Sequence, residues 1–496
     1  MGIVDSVGDI PWSQANNPTE YPSPSVDDDA DVYAAAVAML DEAESYLNAA
    51  GGGNDLFYGG DASKWMKLVN TLRMRAMLTT GDYAGALAQG GVIDTPDADM
   101  QFSYGTQELQ PDTRHPWYQS DYTTSGANIY QSNWLMNTML GDLGEWYGAP
   151  VAYPGIGNEE DGAVQRAVQS DDPRRRYYFY RQQWITPGQA GMLYAFDAGP
   201  YVWPLSWGGN SEDTANGETL QCSLQLQPFH LDFTEDGGDG TMVGRWCAGK
   251  LGYWGRHHGN DEGTPPDNFT RTAVGVYPAG GSFDNQPDVP NYDNYGSLSG
   301  TNAGIKGAVW QGNGGGGAGI WPIYLSSYVH FMKAEAAMWV GDVATARAMM
   351  EIGMQHSFNK VLSMGSVDPE ADSNYLATAT EVSDFIAMKL AEFDAAPLSN
   401  TSDPMAPSTT KDKLDVLGEQ YFVAMYGGAN DAWNFMRRTG HPRHLSRGLM
   451  DNNESGLFPR TGTYPSSEIS ANPNILQRQD NATQVFWDNG VTNPAN

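Results

Sequence analysis

The chain has 496 residues, 40% of them hydrophobic and 11% aromatic, enough to bury a large core. Its net charge of −33, from 27 basic and 60 acidic residues, argues against nucleic acid as a ligand and against flat docking on an anionic membrane. No run approaches the ~20 apolar residues of a membrane helix.

Met1 to Asp29 reads as a loop-like entry that contains Gly8-Asp9-Ile10-Pro11-Trp12. The run Asp27-Asp28-Asp29 precedes a helix, whose N-terminal dipole favours negative charge. That helix is expected from about Asp31 to Ala49, with Val32, Leu40 and Leu47 on one face and Gly51-Gly52-Gly53 at its end. Asp61 is the expected cap of a second helix carrying Trp65, Leu68, Leu72 and Ala76. Gly81-Asp82 follows, then a short alanine-rich helix from Tyr83 to Gln89.

From Phe102 to about Pro322 the pattern changes to Gly, Pro, Asn, Asp and aromatic residues. Helices are expected at 133–146 and 163–170, with loops and short strands elsewhere. More than 200 residues of this kind imply an ordered elaboration on a helical base. Gly312 to Gly319 reads as a mobile or a tight loop. Cys222 and Cys247 are the only cysteines, which leaves their pairing open.

Helical periodicity returns at Ile323 to Phe358, broken at Gly341-Asp342. Glycine can take the left-handed conformation that ends one helix, and aspartate can cap the next. Further helices are expected at 373–394, 409–425 and 430–437. The two Gly-Asp joints, at 81–82 and 341–342, predict stacked helix-turn-helix repeats. The fold class is thus mostly α: tetratricopeptide-like repeats over 31–90 and 323–437, a loop-rich insert over 102–322, and an irregular segment over 441–496. Trp65, Trp339 and Trp433 sit at helical positions and are expected in the core.

Catalytic motifs are missing: there is no G-x-S-x-G, no H-E-x-x-H and no phosphate loop. Sixty carboxylates make any chosen acid pair for glycoside hydrolysis uninformative. His257-His258 with Asp261 and Glu262 reads as a structural turn rather than a metal site. No cofactor is expected; a structural calcium at Asp284, Asp288, Asp293 and Asn294, or at Asp27 to Asp29, is the minority reading. The informative residues are loop aromatics: Trp117, Tyr118, Trp203, Trp207, Trp246, Tyr253, Trp254, Trp310 and Trp321. Large rings offer flat faces to the C–H face of a sugar. Trp203, Trp207, Tyr253, Trp254 and Trp310 are the first candidates, with Arg256, His257 and Asp261 as partners for hydroxyls.

Several stretches resemble the SusD/RagB family of outer-membrane nutrient-binding lipoproteins, in its "starch-binding" branch. They include the GDIPWSQA entry at 8–15, and Tyr58-Gly59-Gly60-Asp61 with Lys64-Trp65, Asn70, Leu72, Arg73 and Arg75. Asp172-Pro173-Arg174 with the YYFYRQ run at 177–182 is another. Next come Arg256-His257-His258-Gly259-Asn260, Pro265-Pro266-Asp267, Arg271-Thr272 and the YPAGGSFD run at 277–284. Ala432-Trp433, Arg437-Arg438-Thr439-Gly440-His441-Pro442, Pro459-Arg460, Tyr464-Pro465 and Glu468 complete the order. The resemblance implies a mostly helical binder of oligosaccharide, without catalysis. It implies a SusC-like TonB-dependent transporter as partner, and a position on the outer face of the outer membrane. The membrane contact would be an N-terminal lipid anchor. The family's usual signal, lipidated cysteine and first helical section do not precede the GDIP stretch here, so the start of the protein is expected upstream. A peptide-binding member of the family and a secreted all-α glycoside hydrolase are the alternatives.

Overall fold

The structure is a computed structural model, and it describes residues 1–50, 53–140, 172–182, 255, 271–286, 309–398, 411–428, 430–443, 445, 459–478 and 481–490. After a short α1 (Gly2–Val7), α2 (Asp29–Ala50) and α3 (Ala62–Thr79) form the first helical pair, and α4 (Tyr83–Ala88) turns back along α3. The second hairpin is α8 (Ser326–Trp339) and α9 (Val343–Ser363). It is followed by α10 (Ala379–Ala395), α11 (Lys413–Ala424) and α12 (Asn430–Thr439). Helix α8 is central: it packs on α3, α4, α9 and α11, while α9 packs on α10.

Small residues make that centre possible. Ala334, Ala336, Ala337 and Ala346 are fully buried. A Cβ on Gly353 of α9 would lie 3.0 Å from the Phe331 ring, so glycine lets the two helices close on that ring. Met350, Met354 and Phe358 are also fully buried, each contributing about 1.5–3 kcal/mol of apolar transfer free energy.

The two Gly-Asp joints have the same construction. Gly81 and Gly341 have φ of 85° and 80°. Asp82 N–H donates to the Met77 carbonyl at 2.8 Å, and Asp342 N–H to that of Ala337 at 2.9 Å. Each aspartate then caps the next helix, accepting from Gly85 N–H and Thr345 N–H. The joints lie side by side, and Tyr83 after one stacks on Trp339 before the other at 5.0 Å and 12°.

Several boundaries differ from the sequence expectation: the entry carries the short α1, and α9 runs on to Ser363 instead of ending at Phe358. The central helix starts at Ser326, because Ile320–Tyr324 forms β4, antiparallel to β1 (Met100–Ser103). Helix α10 starts at Ala379, where Thr378 and Glu381 form a capping box. Helix α11 starts at Lys413, behind a box of Asp412 and Asp415. Trp339 also differs, since 38% of it is exposed. As the last residue of its helix it leans on Tyr83 rather than on the core. Trp65 and Trp433 are half-buried.

The Gly312 to Gly319 run is a tight loop. Gly315 and Gly317 donate to the carbonyls of Gly281 and Gly280. A Cβ on Gly319 would fall 2.2 Å from the Pro278 carbonyl oxygen. Beneath this loop lie α7 (Arg175–Tyr178) and the β2 (Phe179–Tyr180) pairing with β3 (Ala273–Val274); Tyr177, Tyr178 and Phe179 enter a second core, and Tyr180, Ala273 and Val274 pack with Tyr118 and Tyr122 in a third. Helix α6 (Asn133–Leu140) packs in the second core; the rest of its expected length, and the expected helix at 163–170, lie outside the described residues.

The charged residues in the family-like stretches are mostly sunk into the fold. Asp172 and Arg174 pair at 2.6 Å, and Arg181 pairs with Asp284 at 2.8 Å. Arg75 bridges Asp5 (2.5 Å) and Asp431 (2.8 Å), joining α1, α3 and α12. Arg438 grips both oxygens of Glu335 on α8, at 2.7 and 2.8 Å. Arg437 lies over the rings of Trp433 and Trp487, and its guanidinium donates to the carbonyls of Asp5 and Arg460. The first and last described segments are thereby tied to the same helix.

Candidate functional site

The described part of the aromatic surface is arranged by a short helix, α5 (Pro116–Asp121). Pro116 at its first position holds His115 in an extended conformation and pre-sets the helical turn. The His115 ring accepts the Trp117 N–H at 3.1 Å. Burial pushes its pKa down to about 4, so the ring is neutral at physiological pH.

On one side of α5, Tyr118 fastens the turn that carries Trp310. The phenol donates to the Asn313 carbonyl and accepts from Gly312 N–H, both at 3.0 Å. Asn313 in turn accepts the Trp310 N–H through its side chain at 2.7 Å. Val309, buried, donates to the Gln182 side chain at 2.8 Å. Above this anchored backbone the Trp310 side chain is 53% exposed. Gln311 reaches Glu108 at 3.2 Å, and Arg114 pairs with Asp112 at 2.7 Å, so the rim is polar.

On the other side, Trp321 of β4 stacks on His115 at 5.6 Å and 22°, with Trp117 edge-on at 6.1 Å. Trp321 is 36% exposed. Trp117 leads inward through Tyr426 (5.6 Å) to Tyr178 (4.6 Å) and Tyr277 (5.2 Å), both buried. Trp321 therefore stands on a continuous aromatic column, which fixes its orientation.

Among the candidates from the sequence, Trp310 is an exposed ring on an ordered turn. Trp203, Trp207, Tyr253, Trp254, Arg256, His257 and Asp261 lie outside the described residues, as do Cys222 and Cys247. Tyr118 is a buried anchor stacked on Tyr122 at 4.3 Å, not a surface ring. Trp321 belonged to the wider aromatic set but not to the first choices; its place between Ile320 and Pro322 gave no sign that it would face water.

Two groups of metal-capable side chains come together among the described residues. Asp412, Asp415 and His441 are buried, but Arg443 lies on both carboxylates, and Asp412 and Asp415 cap α11. Asp9, Asp28 and Asp29 are tied by backbone donors, Asp29 N–H to Asp9 and Phe486 N–H to Asp29. Asp27 accepts from the Trp12 and Ser13 amides and the Ser13 hydroxyl, and Asp284 pairs with Arg181. These carboxylates have structural partners.

With this geometry in view, the comparisons define the class. Residues 1–141 match the SusD-like family model described as "Starch-binding associating with outer membrane". Residues 321–488 match the model "Susd and RagB outer membrane lipoprotein". Together they span more than half of the chain, which belongs to the SusD/RagB family. At family level this means a carbohydrate-binding, non-catalytic protein associated with the outer membrane.

Solved structures share the fold at low identity. A SusD homolog from Parabacteroides distasonis aligns with TM-score 0.55 and 16% identity, covering 99% of this chain and 79% of its own. A chitin-binding protein aligns at 0.53 and 18%, covering 98% and 78%. A chitin-binding SusD homolog from Flavobacterium johnsoniae aligns at 0.52 and 16%, covering 99% and 78%. No curated protein matches. Among the described residues no helix is long and apolar enough to cross a membrane.

Proposed function

We propose that this protein binds an oligosaccharide on exposed aromatic rings and delivers it to a TonB-dependent transporter of the outer membrane. In this reading it is a lipid-anchored protein on the outer face of that membrane, with 102–322 as its ligand-binding insert. The observation that carries the site is Trp310, an indole 53% exposed above a turn fastened at Val309, Gly312 and Asn313. With the backbone of the turn already fixed, only the side chain has to order when the ring stacks on a sugar, which lowers the cost of binding. Trp203, Trp207, Tyr253 and Trp254 complete the proposed platform, and Arg256, His257 and Asp261 meet hydroxyls.

The family's starch-binding and outer-membrane descriptions support both ligand class and location. Two structures of similar fold are described as chitin-binding, which makes chito-oligosaccharides and malto-oligosaccharides the first ligands to test. Affinity in the micromolar to millimolar range, about −8 to −4 kcal/mol, is expected for so little apolar contact. The test is a calorimetric glycan panel alongside pull-down from outer-membrane extracts. Binding to a glycan and co-purification with a barrel transporter support the reading. A panel with no binding, or a peptide as the only ligand, overturns it.

A further inference from the structure

The rings continue along the β1–β4 face beyond α5, half-buried at Phe102 and Tyr104. Phe102 lies opposite Trp321 in the strand register, and Phe57 meets Phe102 edge-to-face at 6.2 Å. Tyr104 follows, 5.0 Å from Phe102 and 4.8 Å from His115. Phe57 projects from a loop built around one carboxylate. Asp55 accepts from the amides of Phe57 and Tyr58 at 2.6 Å, of Gly60 at 2.8 Å, and from the Trp65 indole at 3.0 Å. Gly60 takes φ of 91° there, and a Cβ on it would meet the Gly53 carbonyl oxygen at 2.3 Å. Leu56 and Phe57 are thereby held in water, 82% and 36% exposed.

Exposed apolar side chains normally fold inward, because burial is favourable by about 25 cal/mol per Å². Here two separate devices hold them out: the His115 stack behind Trp321, and the Asp55 hub behind Phe57. We propose that the strip from Trp321 to Phe57 is a second stacking subsite for a neutral polysaccharide chain; this rests on the glycan reading above. Its chemistry fits that occupant. Ring faces are partly negative and complement sugar C–H groups, while the Tyr104 phenol supplies a hydroxyl. A stable protein partner needs about 800 Å² on each side, far more than these few rings offer. The net charge of −33 works against chains carrying uronate or sulfate.

Two subsites on one polymer act through effective concentration. The strip therefore strengthens binding of long chains and leaves short ones unaffected. The experiment uses affinity gels containing hydroxyethyl cellulose, glycol chitin or soluble starch. It is followed by titration with the dimer and the hexamer of whichever polymer retards the wild type. Trp321→Ala and Phe57→Ser should each weaken polymer binding about tenfold while dimer affinity and melting temperature stay at the wild-type value. Phe57→Ser lies on an exposed loop, so it keeps the test valid if Trp321→Ala folds poorly. Wild-type polymer affinity in both variants overturns the second subsite and leaves the glycan reading standing. Equal loss for dimer and polymer also overturns it, by placing these rings in the main site. Concentration-dependent dimers abolished by Phe57→Ser would give the strip to a second copy instead. A wild type retarded by no polymer overturns the glycan reading itself.

Discussion

Glu335 and Trp310 lie at opposite extremes of this molecule. Glu335 is wholly buried on the central helix, with both oxygens bound to Arg438. Trp310 is more than half exposed, with its backbone pinned from below. In the sequence, glycine neighbours mark Trp310 as a surface ring, whereas nothing local marks Glu335 as buried. The fold gives the two residues opposite tasks. The ion pairs join helices distant in sequence, and the rings, costly to leave in water, face out because other residues hold them there. A binding protein that catalyses nothing has no use for exposed reactive carboxylates, but it needs oriented surfaces.

The largest effect that sharpens this contrast comes from Arg438→Met. It leaves Glu335 buried and unpaired, and should cost about 3–5 kcal/mol of stability in urea unfolding, with little change in glycan affinity per folded molecule. A cost under 1 kcal/mol would mean that this pair does not hold the helices together.

His115 gives a smaller, pH-dependent effect. Its folded pKa, about 4, is below the unfolded value near 6.5, because burial opposes the charge. The unfolded chain therefore binds the proton first, and the stability His115 contributes above pH 6.5 is lost as pH falls towards 4. Asp121, pushed up to about 6 by burial, titrates in the opposite sense. The informative quantity is thus the difference between wild type and His115→Asn. The variant's deficit at pH 7 should shrink by on the order of 1–3 kcal/mol by pH 4.5. A deficit constant with pH would show that the ring titrates normally.

The smallest effect is Thr378→Ala, which removes the capping box of α10 and should cost about 1 kcal/mol with binding unchanged. A measurable loss of glycan affinity here would blur the division between scaffold and surface.

Much of the scaffold was legible because its signals are local. Gly81-Asp82 and Gly341-Asp342 carry both the helix stop and the next cap in two residues. The start of α8 was not legible, since Ile323 and Tyr324 fit a helical face as well as a strand, and only pairing with Met100–Ser103 decides. Exposure of Trp339 depends on Tyr83, and burial of Glu335 on Arg438, both remote in sequence. At the site, glycine neighbours correctly marked Trp310 as outward. Trp321 escaped selection because the His115 stack that presents it is a tertiary contact.

The most direct test of the account is Trp310→Ala, with melting and calorimetric glycan binding measured on the same preparation. The account predicts a loss of about 2 kcal/mol in binding, as at an interface hot spot, with the melting temperature unchanged. Full affinity in the variant, or a loss accompanied by a matching fall in melting temperature, would contradict it.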